Sequence, residues 1–120
     1  MANPNIASVT GIYGKVVGAA VTTTTTAIVT NAASSGKILK INSLIISNVN
    51  GTTAADITAD VFKNQTTSYR IAFTVSVPAD ATVILISKDT SIYLEENDSI
   101  RLTASANSYL EAICSYEDIS

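Results

Sequence analysis

The chain has no histidine, no tryptophan and one cysteine, and only 14% of its 120 residues are charged. Each shortage removes a class of chemistry. Without histidine there is no imidazole base for a serine or cysteine nucleophile, and with a single cysteine the usual tetrahedral zinc sets cannot be filled. Cys114 has no partner for an intrachain disulfide. It stands in Leu110-Glu111-Ala112-Ile113-Cys114-Ser115-Tyr116, an alternation that marks it as a small buried hydrophobe. The seven basic residues are scattered, no two adjacent, and the net charge is −3, so no phosphate-tracking groove for nucleic acid is expected. Two phenylalanines and five tyrosines leave no basic–aromatic interleaving for base stacking. The longest unbroken apolar runs are four or five residues, too short to span a membrane. The start, Met1-Ala2-Asn3-Pro4-Asn5, has neither the basic nor the apolar region of a signal peptide, so the expected setting is a reducing cytoplasm.

What the sequence does contain is alternation. Ile100, Leu102, Ala104 and Ala106 share one face of a strand, against Ser99, Arg101, Thr103 and Ser105 on the other. Tyr69, Ile71, Phe73, Val75 and Val77 do the same against Arg70, Thr74 and Ser76, and Ile57, Ala59 and Val61 form the inward set of Asp56 to Lys63. Lys37 to Val49 does not alternate strictly. Either it bends and changes sheets, or its second face is covered by another chain. Thr82 to Ser87 is a short buried strand or one with a covered outer face. Gly11, Gly14 and Gly18 punctuate Val9 to Val21, which reads as one or two irregular strands with bulges. Asn50-Gly51 supplies a tight turn with positive φ, and Asn64 to Thr67 closes a hairpin. The acidic tail Glu117 to Ser120 is expected to fray.

The sum is eight or nine strands and no helix. The expected fold is all-β: a single-domain antiparallel β-sandwich, jelly-roll-like, over residues 9–120, preceded by an extended N-terminal arm over residues 1–8.

Candidate functional residues are few. Glu95, Glu96 and Asp98 form the one dense acidic group, but they lack the alternate spacing and central glycine of a calcium loop, and a solvated turn is the reading they favour. Gly11, Gly14 and Gly18 lack the Lys-Ser/Thr of a phosphate-binding loop. Asp56 and Asp60 share a strand face and are expected to be solvent-facing; their functional reading is a salt-bridged contact with a basic neighbouring subunit. Asn3, Pro4, Asn5 and Ile6, in the arm, could add a strand to a neighbour's sheet edge. These six residues are the candidate interface. No catalytic residue, cofactor or metal is expected.

Three stretches carry a resemblance. Lys37-Ile38-Leu39-Lys40-Ile41-Asn42-Ser43-Leu44-Ile45-Ile46-Ser47-Asn48, Val75-Ser76-Val77-Pro78-Ala79-Asp80-Ala81-Thr82, and Ile92-Tyr93-Leu94-Glu95-Glu96-Asn97-Asp98-Ser99-Ile100-Arg101-Leu102-Thr103-Ala104-Ser105 resemble segments of small virion structural proteins of tailed bacteriophages, marine and cyanobacterial phages in particular. Cys114-Ser115-Tyr116-Glu117 also fits, so the resemblance covers about residues 37–120. Where that family has glycine this chain has Asn97, which also tolerates positive φ. The resemblance implies a non-enzymatic β-sandwich protein of the virion, assembled in the host cytoplasm: a capsid decoration or cement protein, or else a tail, neck or fibre component. Its implied partners are the major capsid protein or other virion proteins, and further copies of itself in a homo-oligomer. A carbohydrate-binding module is the rival from another class; its sugar face would rest on Tyr13, Tyr69, Tyr93, Tyr109 and Tyr116, with no tryptophan to help.

Overall fold

A computed structural model describes residues 4–120. Nine strands follow one another: β1 (Ile12–Val21), β2 (Thr26–Thr30), β3 (Ile38–Asn48), β4 (Ala55–Lys63), β5 (Thr67–Val77), β6 (Thr82–Ile86), β7 (Ile92–Leu94), β8 (Ser99–Ala104) and β9 (Leu110–Ile119). They form two sheets. Sheet A runs β1-β9-β3-β6, with β7 also on β3, and sheet B runs β2-β8-β4-β5. The pairings are nested: β1 with β9, β2 with β8, β3 with β6 and β7, and β4 with β5, all antiparallel. A long hairpin wrapped into two facing sheets produces this order, and it is the jelly roll. The sandwich expected from the sequence is the one observed.

The core lies between the sheets and is aliphatic. Ile41, Leu44 and Ile46 of β3 and Cys114 of β9 face Ile57 of β4 and Ile100 of β8. Alternation in β8 and β9 holds: Ile100, Leu102 and Ala104 are buried, as are Leu110, Ala112 and Cys114.

Bulges explain where alternation misleads. In β3 the pairing with β9 slips between Ile41 and Ser43, so the inward set passes from Leu39 and Ile41 to Leu44 and Ile46. The strand therefore stays in one sheet, and no change of sheets is needed to account for its mixed sequence. In β5 two further slips leave three residues, Val75 to Thr74 and Phe73, answering Ile57 and Thr58, with Ala72 opposite Ala59 and Arg70 opposite Asp60. Ala72 is thereby buried, while Tyr69 and Phe73, expected inside, are exposed, Phe73 at 63%. Thr74 takes φ 49° at this bulge, a conformation that β-branched residues rarely adopt.

Other expectations change for local reasons. β1 is one regular strand, paired with β9 over ten positions with no slip despite Gly14 and Gly18. Gly51 does not take positive φ; its turn is held by the Asn50 side chain, whose Oδ1 accepts from Thr52 N (2.8 Å) and Thr53 N (2.8 Å). The Asn64-Gln65 turn does use positive φ at both residues (53° and 55°), the hairpin geometry that suits the strand twist. Nor does the tail fray. β9 runs to Ile119, and Ser120 exchanges backbone hydrogen bonds with Thr10 and Gly11. The segment expected to be an extended arm holds a single 3-10 turn, Ile6–Ser8, where Asn5 Oδ1 accepts from Ala7 N (3.0 Å).

Candidate interaction surfaces

The two sheets present unlike outer faces. On sheet B, charge is met within the chain. Asp60 is almost fully buried; its oxygens accept from Arg101 Nε (3.0 Å) and Nη2 (2.9 Å), and Arg70 Nε lies 4.0 Å away. The two-pronged geometry matches a guanidinium to a carboxylate. Arg101 also stacks over the Phe62 ring at 3.7 Å and donates to Ser68 Oγ. The bond to Asp60 raises the Arg101 pKa against the opposing effect of burial. The expectation that Asp60 faces solvent fails because β4 is a central strand, with Arg101 on β8 and Arg70 on β5 at the same register position. Asp56 is half-buried, and its backbone N–H donates to Ser105 Oγ (2.8 Å).

The acidic turn between β7 and β8 is likewise committed inward. Asp98, expected in water, is buried: Oδ2 accepts from Lys63 Nζ (2.7 Å) and from Glu95 N (3.0 Å), and Oδ1 from Asn64 N (2.9 Å). Glu95 also reaches Lys63 (3.2 Å), and Glu96 accepts from Gly36 N. Hydrogen bonding to Asp98 foremost, with Glu95 assisting, raises the Lys63 pKa. These contacts tie the β4–β5 hairpin to the β7–β8 turn. Asn97 takes φ 71° there, the conformation that its tolerance of positive φ allows.

Two buried amides, which the sequence reading passed over, hold the sandwich ends. Asn31 Nδ2 donates to Lys37 O (2.9 Å) and Leu94 O (3.0 Å). Asn48 Nδ2 donates to Thr53 O (3.0 Å) and Val77 O (2.9 Å), while its Oδ1 accepts from Asn50 N (2.8 Å). The signal available was an asparagine closing an apolar strand, a position where an amide can satisfy stray backbone groups.

Between the sheets, at the open side near β1 and β2, lies a depression of about 260 Å³ lined in part by Lys15, Asn31, Lys37, Tyr116 and Asp118. Asp118 Oδ2 accepts from both Lys15 Nζ (3.0 Å) and Lys37 Nζ (3.1 Å). Burial pushes the Asp118 carboxyl up, but the hydrogen bonds and charges of the two lysines outweigh it and hold the group below its ordinary range. Cys114 is fully buried on the inner face of β9, and desolvation pushes its thiol up to about 11, the opposite of what a nucleophile needs. Among the described residues, no three His, Cys, Asp or Glu side chains converge on a common point, and no helix is long and apolar enough to cross a membrane.

Sheet A faces outward with apolar residues. Register places Ile113 of β9 beside Gly18 of β1 and Ile45 of β3, and Ile45 beside Ile84 of β6. Val16, Ile113 and Ile84 are 68%, 51% and 62% exposed. The row Gly18, Ile113, Ile45 and Ile84 thus crosses the four strands, with Val16 two residues along β1 on the same face. The outer face expected to be covered on β6 is open within this chain. Gly18 and Ala20 add no bulk, which leaves a shallow hollow of about 360 Å³ beside Ile113 and Glu111. β1 itself is the end strand of sheet A and is exposed along nearly its whole length.

Of the six candidate interface residues, Asn3 lies outside the described residues. Pro4 is half-buried, Asn5 and Ile6 are exposed at the 3-10 turn, and Asp56 and Asp60 lie on β4 of sheet B.

Fold and surfaces together define a jelly-roll sandwich with a buried ion pair on sheet B and exposed aliphatic residues on the outer face of sheet A. No protein-family model matches the chain, and no curated protein matches it. A solved structure is similar: a chain from work titled "Bacillus endospore appendages form a novel family of disulfide-linked pili", at 12% sequence identity with TM-score 0.55, covering 100% of this chain and 96% of that one. At that identity the likeness is one of fold.

Proposed function

We propose that this protein is a non-enzymatic structural subunit of a protein assembly, and specifically a virion structural protein that decorates a phage capsid as cement. The observation that carries the reading is the set of exposed apolar residues on the outer face of sheet A, Val16, Ile113 and Ile84. A contiguous exposed apolar band is costly in water and marks a contact surface. The thiol is inert, and the buried carboxylates are engaged by lysines and arginines of the same chain. The likeness in fold to a pilus subunit supports an assembling role, and the resemblance of residues 37–120 to phage virion segments supports the particle. Assembly here would not run through disulfides, since Cys114 is sealed in the core. In this reading the major capsid protein is the neighbour, and many symmetric copies add their small contact energies to the shell. The pilus likeness also favours a second placement, as a stacked tail, neck or fibre component.

Mass-spectrometric stoichiometry of the intact particle separates these. Hundreds of copies are expected for decoration, multiples of three or six for tail or neck; absence from purified particles would dismiss both.

A further inference from the structure

The apolar row ends at a strand that is itself unfinished. Among the described residues, β1 has β9 on one side and no strand on the other. Its ten residues, Ile12-Tyr13-Gly14-Lys15-Val16-Val17-Gly18-Ala19-Ala20-Val21, include one charge, no proline and no bulge. Charge, proline, bulges and shortness are the means by which sheet edges are kept from pairing. The other edges use them. β5 carries two register slips and Arg70, β2 is five residues with a slip, and β6 and β7 have five and three residues. Lys15, the one charge on β1, is turned to Asp118.

We infer that β1 pairs antiparallel with β1 of a second copy of this chain, joining two sheets A into one continuous sheet. The inference deepens the assembly reading above by naming its contact. The sequence of β1 argues for its own copy as occupant. Bulk is concentrated in the first half (Ile12, Tyr13, Lys15) and small residues in the second (Gly18, Ala19, Ala20). Antiparallel pairing about a two-fold axis at Val16 sets Ile12 opposite Ala20, Tyr13 opposite Ala19, Gly14 opposite Gly18 and Lys15 opposite Val17. Ile12 and Tyr13 each meet an alanine, and lysine never meets lysine. Opposite residues in an antiparallel pair lie on the same face, so this register also keeps both apolar rows on one side of the joined sheet, meeting at Val16. Such an isologous contact uses one patch on both copies.

The contact is modest. Ten residues make an edge about 34 Å long, and at a depth of about 10 Å this falls short of the roughly 800 Å² per partner of a standard interface. Pairing is therefore weak for two free copies and is strengthened by repetition within an assembly.

The test is sedimentation of the full chain over micromolar to millimolar concentrations. Wild type is expected to associate with rising concentration. Val16→Lys and Val16→Asp each place like charges at the two-fold centre and should weaken association at least about tenfold, while a one-to-one mixture of the two variants should restore it. Ile84→Lys, at the far edge of sheet A, should associate as wild type does. Circular dichroism melts confirm that each variant is folded. If wild type associates and both Val16 variants associate equally well, or if Ile84→Lys is the variant that fails, the assignment to β1 is wrong while the assembly reading stands. If wild type stays monomeric throughout, the β1 pairing is wrong and self-assembly without a scaffold goes with it.

Discussion

Sheets A and B both expose large apolar side chains, yet they differ in their edges and in how their charges are met. Sheet B turns inward upon itself: Asp60 is clamped by Arg101, the β5 edge is bulged twice, and Thr74 is held at φ 49°. Sheet A leaves Val16, Ile113 and Ile84 in the open and ends in an unbulged ten-residue strand. Polar networks and bulges cost conformational freedom and strain, and a chain that maintains them on one side and omits them on the other is protected where it stays free and open where it makes contact. Stability should therefore be lodged in the polar groups of sheet B and at the joints, and association in the apolar groups of sheet A.

Substitutions can break that contrast. The largest loss is expected at the joint: Asn48→Ala strands Val77 O, Thr53 O and Asn50 N and should cost about 3 kcal/mol, read as a fall in urea midpoint. On sheet B, Asp60→Ala leaves Arg101 without its carboxylate. Because Arg101 is partly exposed and water can take up its charge, the expected loss is about 2 kcal/mol, below the range for a fully buried pair. Thr74→Gly works in the other direction. It relieves the left-handed backbone while keeping the Thr74 N–H bond to Thr58 Oγ1 (3.0 Å), for a gain of about 1 kcal/mol in thermal unfolding. Last and smallest, Val16→Lys on sheet A should change monomer stability by no more than about 0.5 kcal/mol, although it is expected to weaken self-pairing at least about tenfold. Equal losses at Asp60 and Val16 would erase the distinction between the faces.

The two cationic clusters give the contrast a pH dependence. Asp118 has a folded pKa below the ordinary carboxylate value, so its contribution is present above about pH 4 and disappears as pH falls through the folded value. Wild type should lose more stability than Asp118→Asn when the urea midpoint is followed from pH 5 to pH 2. Lys63, with its pKa raised by Asp98, contributes below its ordinary value of 10.5 and loses that contribution as pH rises through the higher folded value.

How much of this was legible in the sequence depended on whether period two survived. In β8 and β9 it did, and the buried faces followed directly. In β3 one bulge inserts a residue and reverses the phase. In β5 two insertions reverse it and then restore it, so Phe73 leaves the expected face while Tyr69, opposite Val61, is exposed on the edge strand; no local residue marks these slips, which are set by the partner strand. Asp60 and Asp98 were read as solvated because acids usually are, and their burial needed cations brought from β8 and from the end of β4. The polarity of the tail suggests fraying, yet Asp118 and Ile119 pair with Tyr13 and Ile12 in a ladder that the sequence alone does not close. What could be read for β1 was its composition, while its position at an open edge is a property of topology.

Amide hydrogen exchange, residue by residue and as a function of protein concentration, tests the contrast most directly. In a monomer every second N–H of β1 points to solvent and exchanges fast, as do those of the β5 edge. The expected result is that β1 amides become protected as concentration rises while β5 amides stay fast. Protection appearing along β5 and not along β1 would contradict the account.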